Sequence, residues 1–252
     1  IILGFAVATF VATAFSFIPA LAVTAIVEER ETRVLHQQLL SGAHVGAYWL
    51  SNLLFDLCFF APVAVFTLVM VLVLNIHGLS DEYLPIVLLL LVLYPLQCFP
   101  LAYIISHLFS KSVTAQNMTR AFFSLTGALC SVAATIVIGQ YQIGDDSGSI
   151  VPTIVSLACA ILPNAALAQA LQRLSLMGGM CAIWRQQSGQ EDCPAEIDDP
   201  WSTGTKGVGL FVIAMLCLSA FFSAVVIFIE RKKLQPPSQK ATAAGGARNN
   251  LA

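Results

Sequence analysis

The sequence predicts an all-α fold: a polytopic membrane helix bundle of about five transmembrane helices, with a re-entrant helical hairpin and a cytoplasmic elbow helix. Three observations carry this. Hydrophobic residues make up 58% of the chain and charged residues 10%, with a mean hydropathy of +0.82, whereas a soluble domain carries about 25% charged residues. Charge-free runs occupy 2–27, 50–74, 84–108, 117–140 and 207–229, and a helix needs about 20 apolar residues to cross the hydrocarbon core. Lysine and arginine fall unevenly between the connecting segments, as membrane topology requires.

The first run begins at Ile1 with no start methionine and no charged n-region. The chain is therefore expected to be a piece of a longer protein rather than one that opens on a signal peptide.

After this run the chain gathers charge, in Glu28, Glu29, Arg30, Glu31 and Arg33. Leu35 and Leu39 recur at helical spacing, and Glu29 and Arg33 are placed as an i,i+4 pair. A short helix with an apolar stripe and a charged face is expected, stopped by Ser41 and Gly42. Such a helix either lies on the headgroups or docks on a protein. Three glutamates facing two arginines suit a mixed-charge protein surface better than an anionic leaflet.

Tyr48 and Trp49 mark the headgroup level where the second run enters lipid. Tyr48, Asn52 and Asp56 then share one helical face. Asp56 is expected to be the single acid buried in a span, where a central aspartate costs about 2.5–3.5 kcal/mol. A structural polar contact and a role in handling cargo both remain open for it. Pro62 is expected to bend this run, and Pro95 and Pro100 the third. In the fourth run Ser124, Gly127, Ala128, Ser131 and Thr135 form a small-residue face for close packing.

The apolar run 150–171 is bracketed by Pro152 and Pro163, with Asn164, Gln169, Gln172 and Arg173 crowding its second half. It is expected to enter and leave the membrane on one side. Topology depends on this. With five crossings and the elbow inside, Arg30, Arg33, Lys111, Arg120, Arg231, Lys232, Lys233, Lys240 and Arg248 lie inside, and Arg173, Arg185 and Lys206 outside. A sixth crossing would reverse the bias of the last segments.

Cys181 and Cys193 share a polar loop expected over 178–206 and are a candidate disulfide on the outer side. The other cysteines lie in apolar runs as small hydrophobes. No CxxC and no histidine at ligand spacing accompanies them, so no metal site is expected. Residues 1–233 form the membrane domain, and 234–252, rich in Pro, Ser, Ala and Gly, read as a polar linker.

The spaced string Glu29-Arg30-Glu31, His36-Gln37, Ser41-Gly42, Tyr48-Trp49, Asn52 and Asp56 resembles the segment after the second span in ATP-binding cassette transporters of subfamily A. The resemblance implies an ABC-2 type transmembrane domain whose first span lies upstream. It also implies that Glu28, Glu29, Arg30, Glu31, Arg33, His36, Gln37, Ser41 and Gly42 couple the membrane domain to an ATPase domain. The family's re-entrant hairpin carries a pattern like PxFxLGxGL, and Pro163 to Leu171 occupy its place here. Pro163, Asn164, Leu167, Ala168 and Ala170 are thus hairpin residues, with alanines where the family has glycines.

By the same resemblance the cargo is a lipid or lipid-like molecule, moved across or between leaflets of a plasma or vesicle membrane. ATP and Mg2+ are used by a cassette domain towards which the linker leads. The implied partners are that nucleotide-binding domain and a second transmembrane half on the same polypeptide; nothing points to nucleic acid. No GxxxxGK[ST] phosphate loop occurs in the 252 residues, so this chain is not expected to hydrolyse ATP by itself. Two alternatives stay open: a subfamily G-like exporter domain, and a non-catalytic membrane assembly subunit. An intramembrane enzyme would need paired catalytic groups at depth, which the spans do not offer.

Overall fold

The computed structural model describes residues 2–34, 45–75, 79–80, 83–136, 150–189, 193–194, 199–202 and 207–234. Among them every regular element is helical: α1 (Ile2–Phe15), α2 (Phe17–Glu31), α3 (Val45–Leu74), α4 (Leu84–Ser106), α5 (Ser112–Leu125), α6 (Val151–Ile161), α7 (Pro163–Ser188) and α8 (Gly209–Leu234). Five stretches are long and apolar enough to cross a membrane: Leu3–Glu31, Gly46–Leu74, Leu84–Ser106, Ser112–Ile136 and Gly209–Glu230. These match the five charge-free runs, and the chain is an integral, multi-pass membrane protein.

The first span is α1 and α2 joined at Ser16, whose hydroxyl donates to the Thr13 carbonyl at 2.6 Å. Sequence explains the break. Pro19 has no N–H to give to the carbonyl four residues earlier, that of Phe15. The Tyr94 hydroxyl of α4 donates to this carbonyl at 3.3 Å, so an orphaned acceptor is satisfied from a neighbouring span. Around it, the Phe15 ring meets Phe60 edge-on and Tyr94 at a tilt, each with centroids 5.4 Å apart.

The third span remains one helix through Pro95 and Pro100. The fourth continues α5 through a π-helical turn, Thr126–Cys130, and on to Ile136. Such a turn misaligns the local ladder. Here it coincides with the approach of Asn164, whose amide nitrogen donates to the Phe123 carbonyl at 3.0 Å. Gly127 makes that approach feasible, since a Cβ there would lie 3.1 Å from the Cβ of Asn164.

The run 150–171 is interrupted as its prolines require. Leu162 is extended, with φ −96° and ψ 113°, the conformation favoured before Pro163, and Pro163 then starts α7 where its missing N–H costs nothing. The two helices fold back on each other, and the Arg173 guanidinium donates to the Ser156 hydroxyl at 2.6 Å. α7 is longer than its polar sequence suggests. The loop expected from Gly178 begins only after Ser188, where Gly189 ends the helix at φ +67°, a left-handed value that glycine adopts without strain.

The start of α7 is the most enclosed part of the molecule, with Asn164, Ala165, Ala166, Leu167, Ala168 and Ala170 at 0% exposure. Asn164 also donates to the Ala12 carbonyl at 3.1 Å and accepts from Tyr94 at 2.6 Å. Ala12, Tyr94 and Phe123 all lie well inside their spans. The bend is thus held by three spans at once, well inside the length of each.

The small-residue face of the fourth span packs on α7. Gln169 donates to the Ser131 carbonyl at 2.7 Å and to the Thr135 hydroxyl at 2.8 Å, and Thr135 in turn donates to Gln172.

Candidate functional site

Of the expected site residues that the structure describes, Glu29, Arg30, Glu31 and Tyr48 converge on one end of the bundle. Glu28, Glu29, Arg30 and Glu31 do not open a separate elbow helix; they form the last turn of α2. The apolar periodicity of the first run carries helix past the point where charge begins, which is why the sequence boundary fell short. Arg33 lies beyond α2 at φ +61°. The expected i,i+4 pairing of Glu29 with Arg33 therefore has no continuous helix to support it. His36, Gln37, Ser41 and Gly42, with the apolar stripe expected at Leu35 and Leu39, lie outside the described residues.

Glu29 turns across to α3, where its carboxylate accepts from the Tyr48 hydroxyl at 2.6 Å. Arg30 reaches α4. Its guanidinium donates to the Ser106 carbonyl at 3.0 Å and to the Ser106 hydroxyl, a planar fork meeting two acceptors of one residue. Glu31 accepts from the Ser112 backbone N–H at 3.2 Å, at the positive N-terminus of α5. Glu28 is exposed.

The last span joins the same end through Glu230, whose carboxylate lies 3.3 Å from Nε2 of His107. Glu230 is only 7% exposed, and it faces Arg30 electrostatically. This corrects the expectation that Asp56 is the one buried acid of the spans. Asp56 is only half-buried, and the Tyr103 hydroxyl donates to its Oδ2 at 2.5 Å. The signal for Glu230 was its place just before Arg231-Lys232-Lys233 at the end of an apolar run; spacing alone could not assign it to His107.

Trp49 fills the middle of this seam. Its ring lies 5.1 Å from Tyr103, 5.2 Å from Tyr48 and 6.3 Å from His107. Tyr48, Asn52 and Asp56 do share a face of α3, but they serve different neighbours. Tyr48 belongs to the seam, and Asp56 lies two turns deeper beside α4.

Contacts at this end involve the C-terminal ends of α2, α4 and α8 and the N-terminal ends of α3 and α5. The last turn of α2 is thus bonded to α3, α4 and α5, and α8 joins this end through His107 and Glu230. The expected hairpin residues Pro163, Asn164, Leu167, Ala168 and Ala170 are all buried and form a second, separate polar and small-residue locus away from this end. Cys181 and Cys193 are joined by a disulfide, with Cα atoms 5.6 Å apart. It ties the C-terminal part of α7 to the segment leading into α8. Among the described residues no group of His, Cys, Asp and Glu is arranged to hold a metal ion.

Comparison with known proteins gives this architecture a family. The family described as "ABC-2 family transporter protein" matches residues 1–229. Mouse phospholipid-transporting ATPase ABCA3 is 28% identical over 246 residues, covering 92% of this chain and 14% of its own length. Rat ATP-binding cassette sub-family A member 7 is 27% identical over 230 residues, 90% of this chain and 10% of the relative. Human phospholipid-transporting ATPase ABCA7 is 34% identical over 122 residues, 47% of this chain and 6% of that protein. The chain thus spans a small fraction of the curated relatives it matches. Of the two transporter resemblances, these relatives stand on the side of subfamily A. With five membrane-length helices and a match over almost the whole membrane domain, the chain belongs to the ABC-2 family of transporter proteins.

Proposed function

We propose that this chain is the membrane half through which a subfamily A-type transporter moves lipids or lipid-like molecules across or between leaflets. Its energy comes from ATP hydrolysed with Mg2+ in a cassette domain, and a second transmembrane half completes the path. The observation that carries the reading is the polar seam. Glu29 with Tyr48, Arg30 with Ser106, and His107 with Glu230 connect four spans at the end where the charged turn of α2 leaves the bundle. Relatives named as phospholipid-transporting ATPases support the cargo class.

In this reading the seam end is cytoplasmic, and the charged turn with the segment after it forms the coupling elbow. The pair α6 and α7 is a re-entrant hairpin from the opposite side, which keeps the crossings at five and places the Cys181–Cys193 bridge outside. Depth supports the hairpin: its bend is bonded to residues well within three spans. This chain contributes the path and the lever. It has no phosphate loop to bind ATP, so its own residues position helices and cargo rather than reacting with nucleotide.

The test is reconstitution of the full-length protein into proteoliposomes with a fluorescent phospholipid in one leaflet. ATP-dependent loss of the probe from that leaflet, absent with a non-hydrolysable nucleotide, is expected. Unchanged leaflet distribution under turnover of ATP would refute the reading.

A further inference from the structure

Below the seam, the first span (α1 and α2) and α3 stand apart and leave a side opening that is closed at both ends. One end is the Tyr48 to Glu29 hydrogen bond, 2.6 Å long. The other is the edge-on contact of Phe15 with Phe60, centroids 5.4 Å apart. Tyr48 and Phe60 are twelve residues apart on α3, so the opening is about 18 Å tall at 1.5 Å per residue. Within it lies a cavity of about 200 Å³ lined by Leu21 and Ala22 of α2, Phe55, Asp56 and Phe59 of α3, and Phe99 of α4. Phe55 is 69% and Phe59 53% exposed, so the cavity opens sideways towards lipid.

Its chemistry is uneven in an informative way. The walls are apolar, three of them are phenyl rings, and the one charged group is the Asp56 carboxylate. One oxygen of that carboxylate is taken by Tyr103. Among the described residues no lysine or arginine forms an ion pair with Asp56, so the cavity offers negative charge without an internal counter-ion. At about 200 Å³ it is below the usual range for a whole ligand, roughly 300–1,000 Å³. It fits one end of a molecule whose remainder stays in the bilayer.

We propose that this opening is a binding subsite for the quaternary ammonium head of a membrane lipid, with Asp56 as counter-ion and Phe55, Phe59 and Phe99 as its aromatic wall. Rings and a carboxylate attract such a cation, and aromatic cages are a recurring means of holding choline-type groups. A primary ammonium fits less well. It brings three N–H donors, and one remaining carboxylate oxygen cannot satisfy them, whereas a trimethylammonium has no donor to satisfy. A glycerol head brings hydroxyls and no charge to offset Asp56.

The inference rests on the lipid reading of the cargo and names its head group. Its test is therefore a binding measurement without nucleotide, separate from ATP-driven movement. Full-length protein in nanodiscs is irradiated with photoreactive phosphatidylcholine, phosphatidylethanolamine or phosphatidylglycerol, each carrying a diazirine near the head. Label on peptides covering 18–25 and 55–59 is quantified by mass spectrometry. The choline probe is expected to label this window at least about fivefold more than the other two, a factor in the range of one cation–π contact. Asp56→Asn removes that preference and Asp56→Glu keeps it. Phe55→Ala, at an exposed position that folding does not depend on, lowers choline labelling several-fold. Equal labelling by the three heads, or a preference that survives both Asp56→Asn and Phe55→Ala, would overturn the proposal while leaving ATP-driven transport to be judged on its own assay.

Discussion

The Tyr48 hydroxyl donates to the Glu29 carboxylate at 2.6 Å, joining α2 and α3 across nineteen residues of sequence. Both groups are half-buried, and hydrogen bonds to a charged acceptor contribute about 1.5–3 kcal/mol. Tyr48→Phe keeps the ring against Trp49 and removes only the donor. It is expected to lower stability by about 1–3 kcal/mol and to reduce lipid-stimulated ATP hydrolysis more than basal hydrolysis. Thermal unfolding in detergent alongside the two ATPase rates checks this; unchanged stimulation would show that the bond is not in the coupling path.

Asn164 makes the next prediction, because one side chain serves the Ala12 and Phe123 carbonyls and the Tyr94 hydroxyl. Asn164→Ala leaves two buried carbonyls and a hydroxyl without this partner, each costing about 1–3 kcal/mol. A loss of about 2–4 kcal/mol is expected after partial relaxation. Gly127→Ala, whose new methyl sits 3.1 Å from the Asn164 Cβ, should cost less, and Gly127→Leu as much or more. Melting temperatures of the three variants in one detergent provide the comparison; a neutral Asn164→Ala would remove the bend from the list of supports.

Much of this was legible in the sequence because the bilayer is a severe solvent. Runs such as 84–108 can only be spans, and prolines 152 and 163 can only interrupt helix where something else satisfies the backbone. The small-residue face of Gly127, Ser131 and Thr135 was legible from spacing too. What spacing could not supply was partnership. Glu230 and His107 are 123 residues apart, and Arg30 and Ser106 are 76 apart. Nothing local distinguishes Glu230 from a solvated residue beside Arg231. The extent of α2 and α7 was also misjudged, since the charge at Glu28 to Glu31 was read as the start of a separate elbow helix and the polarity after Gly178 as loop. Neighbouring helices satisfy Glu29, Arg30 and Glu31, so the backbone stays helical there.

The His107 and Glu230 pair is nearly enclosed, and removing one partner of such a pair costs about 3–5 kcal/mol. Glu230→Ala is expected to destabilise by that order. Glu230→Ala combined with His107→Leu should recover part of it, because no unpartnered imidazole then remains buried, while Arg30 keeps its bonds to Ser106. A double-mutant cycle on unfolding measures the coupling, and strict additivity would contradict the pairing.

The Cys181–Cys193 bridge spans twelve residues of sequence, a loop length for which closure stabilises by roughly 3 kcal/mol. Non-reduced peptides should show the cross-link by mass spectrometry. Replacing both cysteines by serine should lower the melting temperature, and the difference should vanish under reductant. In sealed cells, single cysteines introduced near Gly189 should react with an impermeant reagent while those near Arg30 and Lys232 should not. Labelling near Lys232 from outside would break the five-crossing topology.

The central claim is that the charged turn of α2 transmits work from the ATPase to the spans. Exchanging its charges, Glu29→Arg with Arg30→Glu, disrupts the links to Tyr48 and Ser106 together and changes none of the residues that line the Asp56 cavity. The deciding measurement pairs cargo affinity without nucleotide with lipid-stimulated ATP hydrolysis, in the full-length protein. Affinity and basal hydrolysis within about twofold of wild type, with stimulated hydrolysis and transport falling together about tenfold or more, is the expected result, equivalent to at least 1.4 kcal/mol of lost coupling. Loss of cargo affinity with stimulated hydrolysis intact would make this end of the bundle a binding element and contradict the claim.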